Sequence, residues 1–306
     1  MTANPITAEQ LNQDFGISGQ VNITEGKGGF PVIEISNEKA KAKISVYAAQ
    51  VLSFQPKAAS SDLMFVSESA YFQPGKATKG GIPICWPWFG PDPEGKGRAS
   101  HGFVRNRMWT LRSTEALPSG ETKVCLGVLP SEDTLAIWPY QFDLELEAVV
   151  GDQLSVTLRT QNKGEQAFSI TQAFHSYFLT GDIGQVKVLG LDGLAYLDKA
   201  DGGGEKTQVG DMAIAAEVDR IYQNVPSELV IEDGDMGRKI RISTTGSKTA
   251  IVWNPWIEIA EKMADLSAQD YQQFVCVETA NAADEVIEVA PGETYELQAT
   301  YSVEPV

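Results

Sequence analysis

Positively charged residues are scarce in this sequence, and the scarcity limits what the protein can bind. Its 306 residues include 24 Lys and Arg against 41 Asp and Glu, so the formal net charge is −17 at pH 7. Nucleic acids and anionic membranes require basic surfaces, and we therefore expect no binding to either. A local cationic pocket for a small anion remains compatible with this net charge.

Cysteine and long apolar runs are also scarce. Cys85, Cys125 and Cys276 are an odd number without close spacing. They match neither a disulfide framework nor a zinc motif, and they favour a reducing compartment. No apolar run approaches the length of a membrane span, and Met1–Gln20 lacks the basic start and apolar core of a signal peptide. We therefore expect a soluble, cytoplasmic protein.

Histidine is scarce as well, and its two positions are informative. His101 and His175 each lie in a run that also contains aromatic residues. Imidazole is the side chain best suited to moving protons near neutral pH, so both histidines are candidates for acid–base chemistry. The alternative is that both are buried, hydrogen-bonded core residues, and their type and spacing leave that open.

Alternation of apolar and polar residues is the dominant pattern of the chain, and it predicts β-strands. Residues 141–147 and 154–158 alternate on either side of Gly151 and Asp152, which are typical turn residues. These two runs are therefore expected to form a β-hairpin. The same signals predict two further hairpins, formed by residues 239–243 with 249–253 and by residues 286–289 with 295–301.

Helical signals are few and short. Thr7 and Ser131 are typical N-cap residues, and each is expected to begin a helix of one or two turns. Because no strand–helix–strand repeat and no linker is visible, we expect an all-β fold, a large antiparallel β-sandwich with few short helices. It is expected to be a single domain over residues 1–306, with residues 1–29 as an N-terminal extension packed on or near it.

Two stretches in the first half of the chain combine apolar bulk with isolated basic groups. Lys79 precedes a pair of glycines that would let the backbone approach a ligand, and Trp86, Trp88 and Phe89 would suit the face of a sugar ring. Packing of these aromatics in the core is the alternative. On a strand, His101 and Arg105 would share one face and could bind an anion, unless that face is merely solvated.

Two later stretches add candidates for proton transfer. If residues 172–178 are extended, His175 shares a face with Tyr177. Glu278 ends the apolar run 274–277, where burial would raise the pKa of its carboxyl toward the range of a general base. A solvent-exposed glutamate at a strand end is the alternative. Trp253 lies in the aromatic run that precedes this strand.

Taken in order, these stretches resemble a known family. The chain is similar to the hexose-6-phosphate mutarotases, also called glucose-6-phosphate 1-epimerases, of the aldose 1-epimerase superfamily. The resemblance extends over about residues 30–300, and the ordered set is more specific than any single motif. The matching runs are Gly80–Gly90, His101–Asn106, Ala173–Phe178, Asp219–Tyr222, Val252–Trp256, Met263–Asp265 and Cys276–Glu278.

The resemblance implies an isomerase with the galactose-mutarotase type of sandwich and a site on a concave sheet face. It implies interconversion of the α and β anomers of a hexose 6-phosphate, with glucose 6-phosphate as the first candidate. This reaction needs neither metal nor cofactor. A small phosphorylated sugar would be the partner of a monomeric protein. The implied roles are general acid for His175, general base for Glu278, sugar binding for His101, Asp219 and Trp253, and phosphate binding for Lys79 and Arg105.

One departure from the family pattern concerns the phosphate. The position of Lys79 is commonly arginine in the family, and lysine binds phosphate as a point charge without the bidentate fork. The alternatives to a sugar-phosphate enzyme are a 1-epimerase of unphosphorylated aldoses and a non-catalytic carbohydrate-binding β-sandwich.

Overall fold

A computed structural model describes residues 7–306 and confirms the all-β prediction. In that range the strands are β1 (Val21–Glu25), β2 (Pro31–Ser36), β3 (Ala40–Ser45), β4 (Gln50–Pro56), β5 (Ile84–Cys85), β6 (Thr110–Ala116), β7 (Thr122–Val128), β8 (Phe142–Val150), β9 (Leu154–Asn162), β10 (Phe168–Ile170), β11 (Gln172–Phe174), β12 (Tyr177–Leu179), β13 (Val186–Leu189), β14 (Ala195–Asp198), β15 (Gly204–Thr207), β16 (Met212–Ala213), β17 (Val218–Gln223), β18 (Glu228–Asp233), β19 (Arg238–Thr245), β20 (Thr249–Asn254), β21 (Phe274–Asn281), β22 (Ile287–Val289) and β23 (Thr294–Pro305).

The helices are short, as the sequence predicts. They are α1 (Ala8–Phe15), α2 (Glu132–Ile137), α3 (Trp256–Ala260) and the 3₁₀ turns Lys27–Gly29, Ile183–Gln185, Lys199–Asp201 and Asp270–Gln273. Both predicted caps are confirmed, because Thr7 accepts a hydrogen bond from Gln10 N–H and Ser131 forms a capping box with Thr134. Within residues 7–306, no helix has the length and apolarity needed to cross a membrane.

One layer of the fold is a nine-stranded antiparallel sheet in the order β16-β13-β18-β19-β23-β9-β8-β7-β6. Its strands alternate, so that residues such as Leu144 and Leu158 are buried in the core. The intervening residues carry charge, and Arg159 forms ion pairs with the side chains of Glu145 and Glu296. This sheet therefore supports the molecule with one apolar and one charged face.

The second layer is an eight-stranded sheet in the order β15-β14-β17-β20-β21-β11-β5, with β12 also paired to β21. Tyr222, Val252 and Val277 point from it into the shared core. The hydroxyls of Ser176 and Tyr301 lie 2.8 Å apart and link the two layers. The predicted sandwich is thus present, and the other face of this second sheet is free to carry a site.

Smaller sheets complete the fold. Strands β1–β4 form an antiparallel sheet, and β10 pairs with β22. In the described part of the predicted N-terminal extension, Leu11 of α1 is buried in the core and Asn12 Oδ1 accepts a hydrogen bond of 2.8 Å from Ile23 N–H. Residues 1–6 of that extension lie outside the described residues.

The first predicted hairpin is confirmed and the other two are wrong. Strands β8 and β9 pair as predicted, with Val150 opposite Leu154. In contrast, β19 belongs to the nine-stranded sheet and β20 to the eight-stranded sheet, so the turn at Gly246 passes between the layers. Strand β22 pairs with β10, whereas β23 pairs with β19 and β9. Turn residues permit a reversal of the chain but do not determine which strand becomes the partner.

Candidate active site

A cavity of about 490 Å³ lies on the outer face of the eight-stranded sheet. It brings together all seven residues that the sequence predicts as site residues. Its lining consists of Lys79, Phe89, Gly90, Pro91, His101, Arg105, His175, Tyr177, Lys199, Asp219, Ile221, Ile251, Trp253, Met263, Glu278 and Ala283.

Three neighbouring strands form the floor of the cavity. Asp219 of β17 lies opposite Trp253 of β20, and Ile251 of β20 lies opposite Glu278 of β21. Because side chains alternate along a strand, Trp253 and Ile251 share this face while Val252 between them points into the core. The pleat therefore gathers an aspartate, a tryptophan and a glutamate from separate strands.

His175 lies at the short break between β11 and β12. Its backbone N–H donates to the carbonyl of Pro83 over 2.9 Å, which anchors the break. Its ring stacks on Tyr177 with centroids 4.9 Å apart and an interplanar angle of 7°, so the predicted shared face is confirmed. Its Nδ1 lies 3.3 Å from Oε1 of Glu278.

His101 reaches the cavity from a loop, and the predicted strand over residues 101–105 is wrong. The residue has a φ of +63°, and a Cβ at the next position, Gly102, would lie 1.8 Å from the carbonyl oxygen of Trp86. Glycine at position 102 therefore lets this loop close onto the end of β5. The backbone N–H of Gly90 donates a hydrogen bond of 3.3 Å to Nδ1 of His101 and so holds the imidazole ring in position.

Lys79 and Arg105 supply positive charge at one part of the cavity. Lys79 Nζ lies 3.7 Å from the carboxylate of Asp265 and 5.9 Å from the ring centroid of Trp253. Arg105 donates to the carbonyl of Ser100 over 3.2 Å. Both cations also line an adjoining cavity of about 180 Å³, so the two spaces meet at this pair.

The paired glycines after Lys79 have a different role from the predicted approach to a ligand. A Cβ at Gly80 would lie 2.4 Å from Cα of Val66, and one at Gly81 would lie 2.1 Å from the carbonyl oxygen of Val51. The close approach is therefore to the protein's own backbone, which fixes Lys79 in place. Of the neighbouring aromatics, Trp86 and Trp88 are core residues and Phe89 lines the cavity.

Burial shifts the proton affinities of the two groups that face each other. It raises the pKa of Glu278 well above its usual value, with Asp219 acting in the same direction and Arg105 opposing. It lowers the pKa of His175 well below its usual value, with the positive charge of Arg105 among the further causes. Both shifts favour the uncharged form of each group.

The pKa values of His101 and Asp219 are also shifted. Burial lowers the pKa of His101 to about 3, with smaller contributions from Arg105 and Lys79. The ring is therefore neutral near pH 7, and because Nδ1 accepts a hydrogen bond from Gly90, Nε2 carries the proton. Burial raises the pKa of Asp219, and the charge of Lys199 opposes that shift.

Lys199 is the charged lining residue that the sequence analysis missed. It begins a 3₁₀ turn directly after β14 and is otherwise exposed. No motif marks it, because its proximity to Asp219 arises from the pairing of β14 with β17.

Several known proteins are similar to this chain in sequence and in fold. The family model described as aldose 1-epimerase matches residues 31–302. Two relatives named "Putative glucose-6-phosphate 1-epimerase" are a protein from Cenchrus ciliaris, 35% identical over 86% of this chain and 82% of that protein, and one from Escherichia coli, 34% identical over 83% and 84%. A crystal structure from Salmonella typhimurium is described as that of a "putative mutarotase". It superposes with a TM-score of 0.89 and 29% sequence identity, over 95% of this chain and 96% of that one.

Proposed function

The chain belongs to the aldose 1-epimerase family, and from this premise we propose that its substrate is a hexose 6-phosphate, with glucose 6-phosphate as the first candidate. The protein is an isomerase that interconverts the α and β anomers of a sugar. The observation that carries the choice of a phosphorylated substrate is the pair Lys79 and Arg105 beside the facing His175 and Glu278.

The charge balance supports a substrate phosphate. The chain has a net charge of −17, yet Lys79 and Arg105 line both the main cavity and the adjoining cavity. Lys76 is a further cation in the lining of the adjoining cavity. A free hexose has no group that would require this charge, whereas the dianion of a sugar phosphate does. The relative from Cenchrus ciliaris is named as a glucose-6-phosphate 1-epimerase, and this name agrees with the choice of a phosphorylated substrate.

The chemistry requires one base and one acid. Glu278, as carboxylate, takes the proton of the C1 hydroxyl while the imidazolium of His175 gives a proton to the ring oxygen. The C1–O bond of the ring breaks, the open aldehyde rotates about C1–C2, and the ring oxygen attacks the other face of the carbonyl as both protons return. Each positioned proton transfer typically contributes about 10²- to 10⁴-fold in rate.

Substrate binding supports this charged form of the pair. Lys79 and Arg105 are among the charges that lower the pKa of His175. A phosphate dianion bound beside these two cations offsets their field and raises the proton affinity of the imidazole. This change favours transfer of a proton from the carboxyl of Glu278 to His175, which makes the carboxylate and the imidazolium together.

The remaining predicted residues orient the sugar. The Nε2–H of His101 is free to donate to a hydroxyl, and Asp219 on the cavity floor accepts from another. Trp253 lies beside Lys79 and offers an aromatic face to the apolar side of the pyranose ring. Fixing the hydroxyls in this way keeps C1 and the ring oxygen within reach of the acid–base pair.

The test is the rate of exchange between anomers, measured by NMR with and without protein. We expect the protein to accelerate the exchange of glucose 6-phosphate much more than that of glucose or galactose. Equal acceleration of galactose would contradict the phosphate assignment and indicate an aldose 1-epimerase of free sugars. No acceleration of any sugar would contradict catalysis and indicate a carbohydrate-binding sandwich. The monomeric state and the cytoplasmic location stay predictions.

A further inference from the structure

A third side chain lies beside the acid–base pair. Cys276 precedes Glu278 by two residues on β21, so both side chains project from the same face of the strand. One ligand atom each from His175, Cys276 and Glu278 can be chosen so that all three lie within 4.8 Å of one another. All three residues are buried, and Cys276 is a free thiol.

The polar atoms of this group have unused bonding capacity. Within residues 7–306, Nδ1 of His175 and Oε2 of Glu278 are buried and have no hydrogen-bond partner. His175 is 9% exposed and Glu278 1% exposed, so little water is available to satisfy either. Two buried atoms without a hydrogen-bond partner, in side chains 3.3 Å apart, indicate a site that a ligand can complete.

We propose that His175, Cys276 and Glu278 form a binding site for a thiophilic divalent metal ion, Zn²⁺ in particular, and that the bound metal inhibits the enzyme. An imidazole, a thiolate and a carboxylate are a donor set that Zn²⁺ accepts and that Mg²⁺ and Ca²⁺ do not favour. Zinc bonds of about 2.0–2.3 Å place tetrahedral ligands about 3.4–3.7 Å apart, so small side-chain movements complete the site. Three protein ligands leave the fourth tetrahedral position open to another ligand.

Binding is a proton-coupled coordination without any redox step. The lone pair of Nδ1, the thiolate of Cys276 and the carboxylate of Glu278 each form a bond to the metal. The proton of the thiol and the proton of the carboxyl pass to the buffer, so the affinity rises with pH.

Inhibition follows from the identity of the ligands. A metal bound to His175 and Glu278 occupies the atoms that the proposed mechanism uses for proton transfer. This inhibitory effect rests on the proposed function, whereas the metal binding does not. The two statements can therefore be tested separately.

The binding test uses Co²⁺ on purified, metal-free full-length protein, since a cobalt–thiolate bond gives a near-ultraviolet charge-transfer absorption. We expect one equivalent of Co²⁺ to produce this absorption and Zn²⁺ to remove it. Cys276→Ser should abolish the absorption and weaken Zn²⁺ binding at least about tenfold. Cys125→Ser is the matched control, because Cys125 is also a buried thiol but lies on β7 of the other layer.

Circular dichroism confirms that each variant is folded, and Cys276→Ala serves as a second variant should serine disturb the strand. Absence of the absorption in the wild-type protein, or an unchanged absorption in a folded Cys276 variant, would overturn the metal site.

The inhibition test measures anomer exchange against Zn²⁺ concentration. Wild type and Cys125→Ser should lose activity and regain it with a chelator, whereas Cys276→Ser, measured relative to its own metal-free rate, should require at least about tenfold more Zn²⁺ for inhibition. Equal inhibition of both variants refutes inhibition through this site. A protein that shows the cobalt absorption but no anomer exchange retains the metal site and loses the proposed function.

Discussion

The imidazole rings of His101 and His175 meet edge to face, with their centroids 5.8 Å apart. The two histidines are not equivalent in spite of this contact. His175 lies 3.3 Å from the carboxylate of Glu278, whereas Nδ1 of His101 is occupied by Gly90 N–H. We therefore assign proton transfer to His175 and sugar binding to His101.

Glu278→Gln tests the base. The substitution preserves the size of the side chain but cannot accept the proton of the C1 hydroxyl, so kcat for glucose 6-phosphate anomerisation should fall by about 10²- to 10⁴-fold with little change in KM. Glu258→Gln on the exposed part of α3 is the matched control and should behave as wild type. NMR exchange rates provide the measurement, and a near-wild-type rate for Glu278→Gln would rule out this role.

His175→Asn and His101→Asn test the division of roles between the two histidines. Loss of the proposed acid should lower kcat by about 10²- to 10⁴-fold. Loss of a neutral donor to a sugar hydroxyl should mainly raise KM, by about three- to tenfold, in line with the net value of one hydrogen bond. Steady-state kinetics with both variants make the comparison. Equal losses of kcat would contradict the assignment.

Arg105→Gln tests the phosphate site. Removal of one charge-assisted contact should raise KM for glucose 6-phosphate by about 10- to 100-fold and leave that for free glucose almost unchanged. Lys187→Gln removes an exposed lysine of β13 and controls for the change in net charge. If Arg105→Gln affects both sugars alike, the guanidinium does not bind a phosphate.

The pKa of Glu278 predicts a dependence of stability on pH. Burial raises this pKa above the usual 4.5, so from there upward the folded protein holds a proton that the unfolded chain has released. The free energy of unfolding of the wild type therefore falls with rising pH through the raised pKa, by at most about 1.4 kcal/mol per pH unit from this group.

Glutamine does not titrate, so Glu278→Gln should become progressively more stable relative to wild type as the pH rises from the usual pKa of 4.5 toward the raised pKa of the folded protein. Urea denaturation at several pH values measures the difference. A constant difference between Glu278→Gln and wild type would contradict the raised pKa.

The sequence predicts local features of this fold better than distant ones. The β8–β9 hairpin is correct because two alternating runs and a short turn lie next to each other along the chain. The pairing of β22 with β10 and the passage from β19 to β20 between layers depend on which apolar faces meet in the core. The same turn residues serve both cases, so the local pattern cannot distinguish them.

The site follows a similar rule. The ordered motifs predict seven residues that the fold brings into one cavity. Their local geometry is less predictable, since His101 depends on a positive φ and on the fit of Gly102 against Trp86 rather than on a strand. Lys199 escapes prediction because only the β14–β17 pairing brings it near Asp219.

The position of β21 in its sheet has a consequence for how the enzyme matures. Glu278 reaches His175 only when the late strand β21 has joined β11, which comes from a much earlier part of the chain. Contacts of such long sequence separation form slowly, because loop closure must precede them. We therefore expect a nascent or refolding chain to become catalytically active late in folding. After dilution from denaturant, the recovery of activity should be slower than the formation of secondary structure.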